Sequence, residues 1–182
     1  GTFDDVFIIE SEIFEDSRGI FFESWNKKNT RKYLGNSVNF VQDNISISSK
    51  GVLRGIHYQI PNMQQGKLIR CIKGALFDVI VDLRKSSKTF TYWGGINLNS
   101  ENNFQLWIPP GFGHGFLSLK NQTIVEYKVT NYWSKEHERT LIWNDKKIDI
   151  KWPEIGISFN LSNKDKSGES FYELEQKNEL FT

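Results

Sequence analysis

Apolar residues recur at every second position through a series of short segments. In residues 123–129, TIVEYKV, a period of two sets Thr123, Val125, Tyr127 and Val129 on one face and Ile124, Glu126 and Lys128 on the other. Residues 76–83 alternate in the same way, with Leu76, Asp78, Ile80 and Asp82 against Phe77, Val79 and Val81. An aspartate among apolar neighbours needs a partner if it is buried, so Asp78 is either a paired site residue or a solvated one on an outer face. Further strand signals cover 6–9, 19–22, 41–46, 52–58, 67–72, 92–98, 104–108 and 115–119, with Gly, Asn, Pro and Ser between them. An acidic turn at 15–19 joins the first two. In the first half only 27–33 reads as helix, and the polar tail after Lys164 reads as loosely ordered or helical at its end. Short strands at regular spacing with no long helix between them predict an all-β antiparallel sandwich or barrel, not βαβ units.

Composition bounds this picture. The 182 residues suffice for a sizeable core and show no internal boundary, so one domain over 1–182 is expected. With 23 Lys and Arg against 22 Asp and Glu, there is no electrostatic case for a nucleic-acid or anionic-membrane partner. The 14 Phe, 6 Trp and 6 Tyr suit large side chains packed between sheets. A single cysteine, Cys71, rules out an internal disulfide and sits among apolar neighbours, which predicts a buried structural thiol in a reducing compartment. No apolar run approaches the ~20 residues of a membrane span and no basic-then-apolar signal opens the chain, so a cytoplasmic location is expected.

The chemistry concentrates in Gly51-Val52-Leu53-Arg54-Gly55-Ile56-His57-Tyr58-Gln59, where an imidazole and a fixed cation share a strand-like segment. A histidine titrates near pH ~6.5 and can move a proton at neutral pH, although a lone strand histidine is more often a hydrogen-bonded structural residue. Alternation places His57 and Gln59 with Leu53, and Arg54 on the opposite face. For Arg54 and His57 to serve one site, Gly55 must admit a bulge or bend.

Six blocks resemble the signatures of the dTDP-4-dehydrorhamnose 3,5-epimerase (dTDP-sugar epimerase) family: VLRGIHYQ (52–59), GKLIR (66–70), FDVIVDLR (77–84), QLWIPPGFGHGF (105–116), WND (143–145) and LSNKD (161–165). The likeness runs in order from about Phe7 to about Lys166. It implies a cupin jelly roll with a few short helices, usually a homodimer, that acts without metal or organic cofactor on a nucleotide-linked 4-keto-6-deoxy sugar. The residues speak to the metal separately. Metal-binding cupins present two histidines as H-x-H on one strand, whereas here the second position is Gln59, and His114 and His137 supply no pair at ligand spacing.

A 4-keto group acidifies both flanking C–H bonds, so epimerisation needs a base, a charge for the enolate and an acid on the far face. The resemblance implies His57 as the base, with Asp165 holding its imidazole, Lys67 and His114 at the enolate oxygen, and Tyr127 as the acid. Asp78 falls where a partner of Lys67 or His57 is expected. Arg18 and Arg54 match the family's binding arginines, and Glu23, Gln42, Asp43, Asn44, Glu138 and Lys164 fall where it contacts sugar and nucleotide. Taken alone, each of these reads as an ordinary surface or turn residue. Trp133 stands where the family carries a tyrosine that stacks on the thymine ring; the indole keeps a flat surface there, and its bland role is to pack a strand end. Three functions follow: a 3,5-epimerase of dTDP-4-keto-6-deoxyglucose on the way to an L-rhamnose donor, an epimerase of C3 or C5 alone, and a non-enzymatic cupin that binds a sugar nucleotide.

Overall fold

Two five-stranded sheets stack face to face in the computed structural model, which describes residues 2–182. The strands are β1 (Phe7–Glu10), β2 (Ile13–Asp16), β3 (Gly19–Phe22), β4 (Gln42–Ser48), β5 (Leu53–Gln59), β6 (Lys67–Lys73), β7 (Ala75–Asp82), β8 (Trp93–Asn99), β9 (Phe104–Ile108), β10 (Phe112–Ser118), β11 (Thr123–Val129) and β12 (Glu138–Thr140). One sheet has the order β1-β9-β6-β11-β4 and the other β12-β5-β10-β7-β8, while β2 and β3 form a separate hairpin. Every pairing within these sheets is antiparallel, giving the cupin-like jelly roll expected from the spacing of short strands.

The alternation read from the sequence sorts the core. Leu76 and Ile80 point between the sheets with Ile69, Leu106, Ile108, Phe112, Phe116 and Val125. Val79 and Val81 point the other way, into a second cluster with Ile56, Leu83, Leu141, Ile148, Phe171, Leu174 and Phe181. Asp78 is fully buried on the inner face and therefore belongs to the paired reading. Cys71 is buried in the inner cluster, and that burial pushes its thiol up to about 11, as suits an inert structural residue.

Helix α1 (Lys27–Leu34) occupies the expected segment, and its start is set by Asn26, whose side chain accepts from the Lys28 and Asn29 N–H groups. Three segments differ from the sequence reading. Residues 13–16 are a strand, not the approach to a turn; the turn is only Ser17-Arg18, and the short acidic strand IFED is exposed at every position, so it shows no buried face. Glu138–Thr140 adds a three-residue edge strand too short and polar to register as a pattern. The tail is ordered by burial: helices α2 (Asn163–Lys166) and α3 (Phe171–Gln176) follow one another, and Phe171, Leu174, Leu180 and Phe181 close the outer core. A capping box between Ser170 and Glu173 starts α3. Among the described residues no helix is long and apolar enough to cross a membrane.

Candidate active site

Gly55 decides what faces the interior. The pairing of β5 with β10 matches His57 to His114 but Arg54 to Phe116, a one-residue slip that lets Arg54 and His57 both line one cavity. Gly55 has φ +109°, and a Cβ there would sit 2.6 Å from both the Gly115 Cα and the His114 carbonyl oxygen, so the two strands approach as only glycine permits. The bend required by the sequence argument is present.

The cavity measures about 440 Å³ and lies between the two sheets. From the first sheet it receives Gln42, Asn44 and Ser46 of β4, Lys67 of β6 and Tyr127 of β11; from the second, Arg54, His57 and Gln59 of β5, His114 and Phe116 of β10, and Glu138 of β12. Gln65, Trp133 and Lys164 complete the wall from loops and α2. This is the volume of a small-ligand site, and it is walled with convergent polar groups.

Each histidine is held from behind by a carboxylate. His57 Nε2 lies 2.6 Å from Asp165 Oδ1, so Nε2 carries the proton and Nδ1 is the basic nitrogen. Asp165 is itself fixed by the Gly55 N–H at 3.2 Å and by the Ser162 hydroxyl, which donates to Oδ2 at 2.6 Å. Burial alone would raise the Asp165 pKa, but the hydrogen bonds from His57 and Ser162 outweigh it and keep the carboxyl ionised. Burial lowers the pKa of His57, reinforced by the Lys164 and Lys67 charges and opposed by Asp165, which leaves the imidazole neutral at pH 7. His114 Nε2 is 2.9 Å from Asp78 Oδ2. Asp78 therefore hydrogen-bonds His114, and neither of the two partners considered from the sequence; it touches Lys67 only through its charge.

Lys67 is buried, donates to the His57 carbonyl oxygen at 3.3 Å, and has its pKa pulled down to about 8 by desolvation against the opposing charges of Asp78 and Glu138. Burial raises the pKa of Tyr127, so its phenol is protonated at neutral pH. At the mouth, Lys164 pairs with Glu138 at 2.9 Å. Burial raises the Glu138 pKa, and the hydrogen bond and charge of Lys164 bring it below the usual value.

The chain matches the dTDP-4-dehydrorhamnose 3,5-epimerase family over residues 2–173. It belongs to that family. A dTDP-4-dehydrorhamnose 3,5-epimerase of Shigella flexneri is 50% identical over 171 residues, covering 94% of this chain and 93% of the relative. The crystal structure of a Legionella pneumophila dTDP-6-deoxy-D-glucose-3,5-epimerase in complex with dTDP-4-keto-L-rhamnose superposes with a TM-score of 0.93 at 42% identity, covering 100% of this chain and 95% of that one. A 3'-monoepimerase from Streptomyces bikiniensis in complex with dTDP-quinovose has a TM-score of 0.92 at 30% identity, covering 98% of this chain and 89% of that one. The epimerase fold is thus common to enzymes named for two centres and for one.

Of the residues the sequence singled out, ten line the cavity: Gln42, Asn44, Arg54, His57, Lys67, His114, Tyr127, Trp133, Glu138 and Lys164. Asp165 and Asp78 stand behind the two histidines. Arg18, Glu23 and Asp43 are not among the lining residues of the single chain. Arg18 sits exposed at the tip of the β2–β3 hairpin against Asp16, Glu23 holds Asn26 and Asn29, and Asp43 pairs with Lys128 on the outer face of its sheet. The sequence reading missed Ser162 and the structural part of Gln59. A serine three residues before Asp165, as in an N-cap, was the available signal for the first.

Proposed function

We propose that this epimerase-family protein inverts C3 and C5 of dTDP-4-keto-6-deoxyglucose, toward an L-rhamnose-type donor, by proton transfer through an enolate. The observation that carries the reading is the division of labour between sheets: His57 comes from one and Tyr127 from the other, so base and acid stand on opposite walls of the cavity, with Lys67 and His114 lining the same space. His57 Nδ1 takes the proton α to the ketone, and the electron pair moves onto the C4 oxygen. Lys67 donates to the developing charge there, with His114 beside it; a donor to such an oxyanion is worth roughly 10²- to 10³-fold in rate. Tyr127 returns a proton to the opposite face, inverting the carbon. Arg54 and Lys164 hold the diphosphate, Gln42, Asn44 and Glu138 contact sugar and nucleotide, and Trp133 offers its ring to the base.

Arg18 and Glu23 serve the site of a second copy in a proposed homodimer. A two-stranded ribbon is marginal alone, and the β2–β3 hairpin leaves Phe14, Ile20 and Phe21 exposed, as the adjoining sheet leaves Ile45 and Ile47. The free, buried Cys71 fits a cytoplasmic setting.

The test is incubation with dTDP-4-keto-6-deoxyglucose in deuterated water, with deuterons counted at C3 and C5 by mass spectrometry and proton NMR. Incorporation and inversion at both carbons is the expected result. Incorporation at one carbon makes the protein a monoepimerase, and none at either removes the enzymatic reading for this substrate.

A further inference from the structure

Gln59 is 3% exposed, deeper than His57 on the same strand face, and its amide is used on both sides. Its Nε2 donates to the Tyr132 carbonyl oxygen at 3.0 Å and to the Met63 carbonyl, and its Oε1 accepts from the Ser134 N–H at 2.6 Å. Residues 132 and 134 flank Trp133, whose own N–H donates to Gln42 Oε1 at 3.1 Å. Three consecutive residues of a cavity-edge loop are thus held through their backbone by two glutamines, while the Trp133 side chain stays 54% exposed at the mouth. A buried primary amide with one donor and one acceptor satisfied by the same loop costs a great deal to replace and leaves that loop little freedom.

We propose that Gln59 is a positioning residue for nucleotide recognition: its amide clamps residues 132–134 so that the Trp133 indole is presented, already ordered, as the wall on which the nucleobase stacks. This rests on the proposed nucleotide-sugar substrate and deepens it by assigning base recognition to a loop fixed from the catalytic strand. A surface side chain that must be ordered on binding weakens the complex, and a pre-ordered one does not. The loop it clamps carries none of His57, Lys67, His114 and Tyr127, so the clamp acts on binding more than on turnover.

The experiment is a double-mutant cycle on dTDP affinity, measured by isothermal titration with Gln59→Met, Trp133→Ala and the double variant. Gln59→Met matches the side chain in length but cannot bridge the loop, and Trp133→Ala removes the wall. Each single change is expected to weaken dTDP binding about tenfold, the double variant no more than either alone, and KM for the keto-sugar to rise by a similar factor while kcat moves less. Additive losses, or unchanged dTDP affinity in Gln59→Met, overturn the proposal while leaving the epimerase reading intact. A wild-type protein that neither binds dTDP nor exchanges deuterium removes the reading beneath it. Should Gln59→Met melt far below the wild type, Gln59→Glu, which keeps the acceptor for the Ser134 N–H and loses the donors, carries the same cycle.

Discussion

Replacing Asp165 with asparagine isolates what the carboxylate does for His57, because the side chain keeps its shape and loses its charge. In the wild type the 2.6 Å contact to Nε2 fixes the tautomer that leaves Nδ1 basic. In Asp165→Asn the amide oxygen placed at Oδ1 still accepts from the Gly55 N–H and from Nε2–H, with the NH2 toward the Ser162 hydroxyl, so the tautomer is held and only the charge is lost. Burial already lowers the His57 pKa, and Asp165 is a principal force opposing that drop, so its loss weakens the base. Proton abstraction by the proposed base then leaves an imidazolium without its counter-charge, so a fall of about 10²- to 10³-fold in kcat is expected with KM nearly unchanged. Deuterium incorporation at C3 and C5 is the assay, with thermal melting run alongside because Asp165 is 3% exposed and holds three groups. Activity within tenfold of the wild type in a folded variant refutes the role given to the Asp165 charge.

Three further outcomes follow from the geometry. Tyr127→Phe should still incorporate deuterium, since His57 can return a solvent-exchanged proton to the face it came from, but inversion judged by NMR coupling constants should fall at least 10²-fold; loss of exchange together with inversion would put Tyr127 in some other role. The pH profile of kcat/KM should decline on the acid side below the ordinary histidine range, because the base is needed neutral and its pKa is lowered. It should decline on the alkaline side from about 8, where Lys67 loses its charge, and Lys67→Arg should abolish that alkaline limb. Gly55→Ala should destabilise the fold by about 3 kcal/mol or more in denaturant unfolding, since a side chain at φ +109° would meet the Gly115 Cα and the His114 carbonyl oxygen at 2.6 Å; a loss under about 1 kcal/mol would mean the two strands can part.

Stability should follow the same groups with acid. The pKa values of Asp165, Asp82 and Glu138 lie below their ordinary values in the fold, so the stabilisation these carboxylates give is complete above the unfolded value near ~4 and is lost as pH falls through the folded one. His57 has the same sign: protonation is disfavoured in the folded state, so its contribution is present above about 6.5 and declines below it.

Alternation was enough to read the walls of the fold and the faces of Asp78 and Tyr127, while the resemblance supplied most of the candidate site. Thr123, Val125, Tyr127 and Val129 do share a buried face, and Asp78 does stand with Leu76 and Ile80, because a strand buried on one side leaves a period-two record in its side chains. Elements without such a record were illegible. The strand IFED is exposed throughout, Glu138–Thr140 is polar and short, and the C-terminal segment is held by four spaced apolar residues that no local period groups. The pairing of Asp165 with His57 spans 108 residues, and no spacing rule brings them together; only the resemblance did.

The bulge at Gly55 ties these observations together. In a regular β5 the charge of Arg54 would face the outer core, where Ile56 and Leu141 pack, and burying it there would cost far more than one broken ladder pair. The slip against β10 turns Arg54 inward, where Ser48 accepts from its Nε at 3.2 Å and the cavity admits solvent or an anion. The same turn delivers the Gly55 N–H to Asp165 Oδ1, the atom that holds His57. One glycine therefore sets Arg54, His57 and Asp165 in a single local geometry, so under the proposed function damage at Gly55 should depress substrate affinity and proton transfer together, whereas damage at Trp133 should act mainly on affinity.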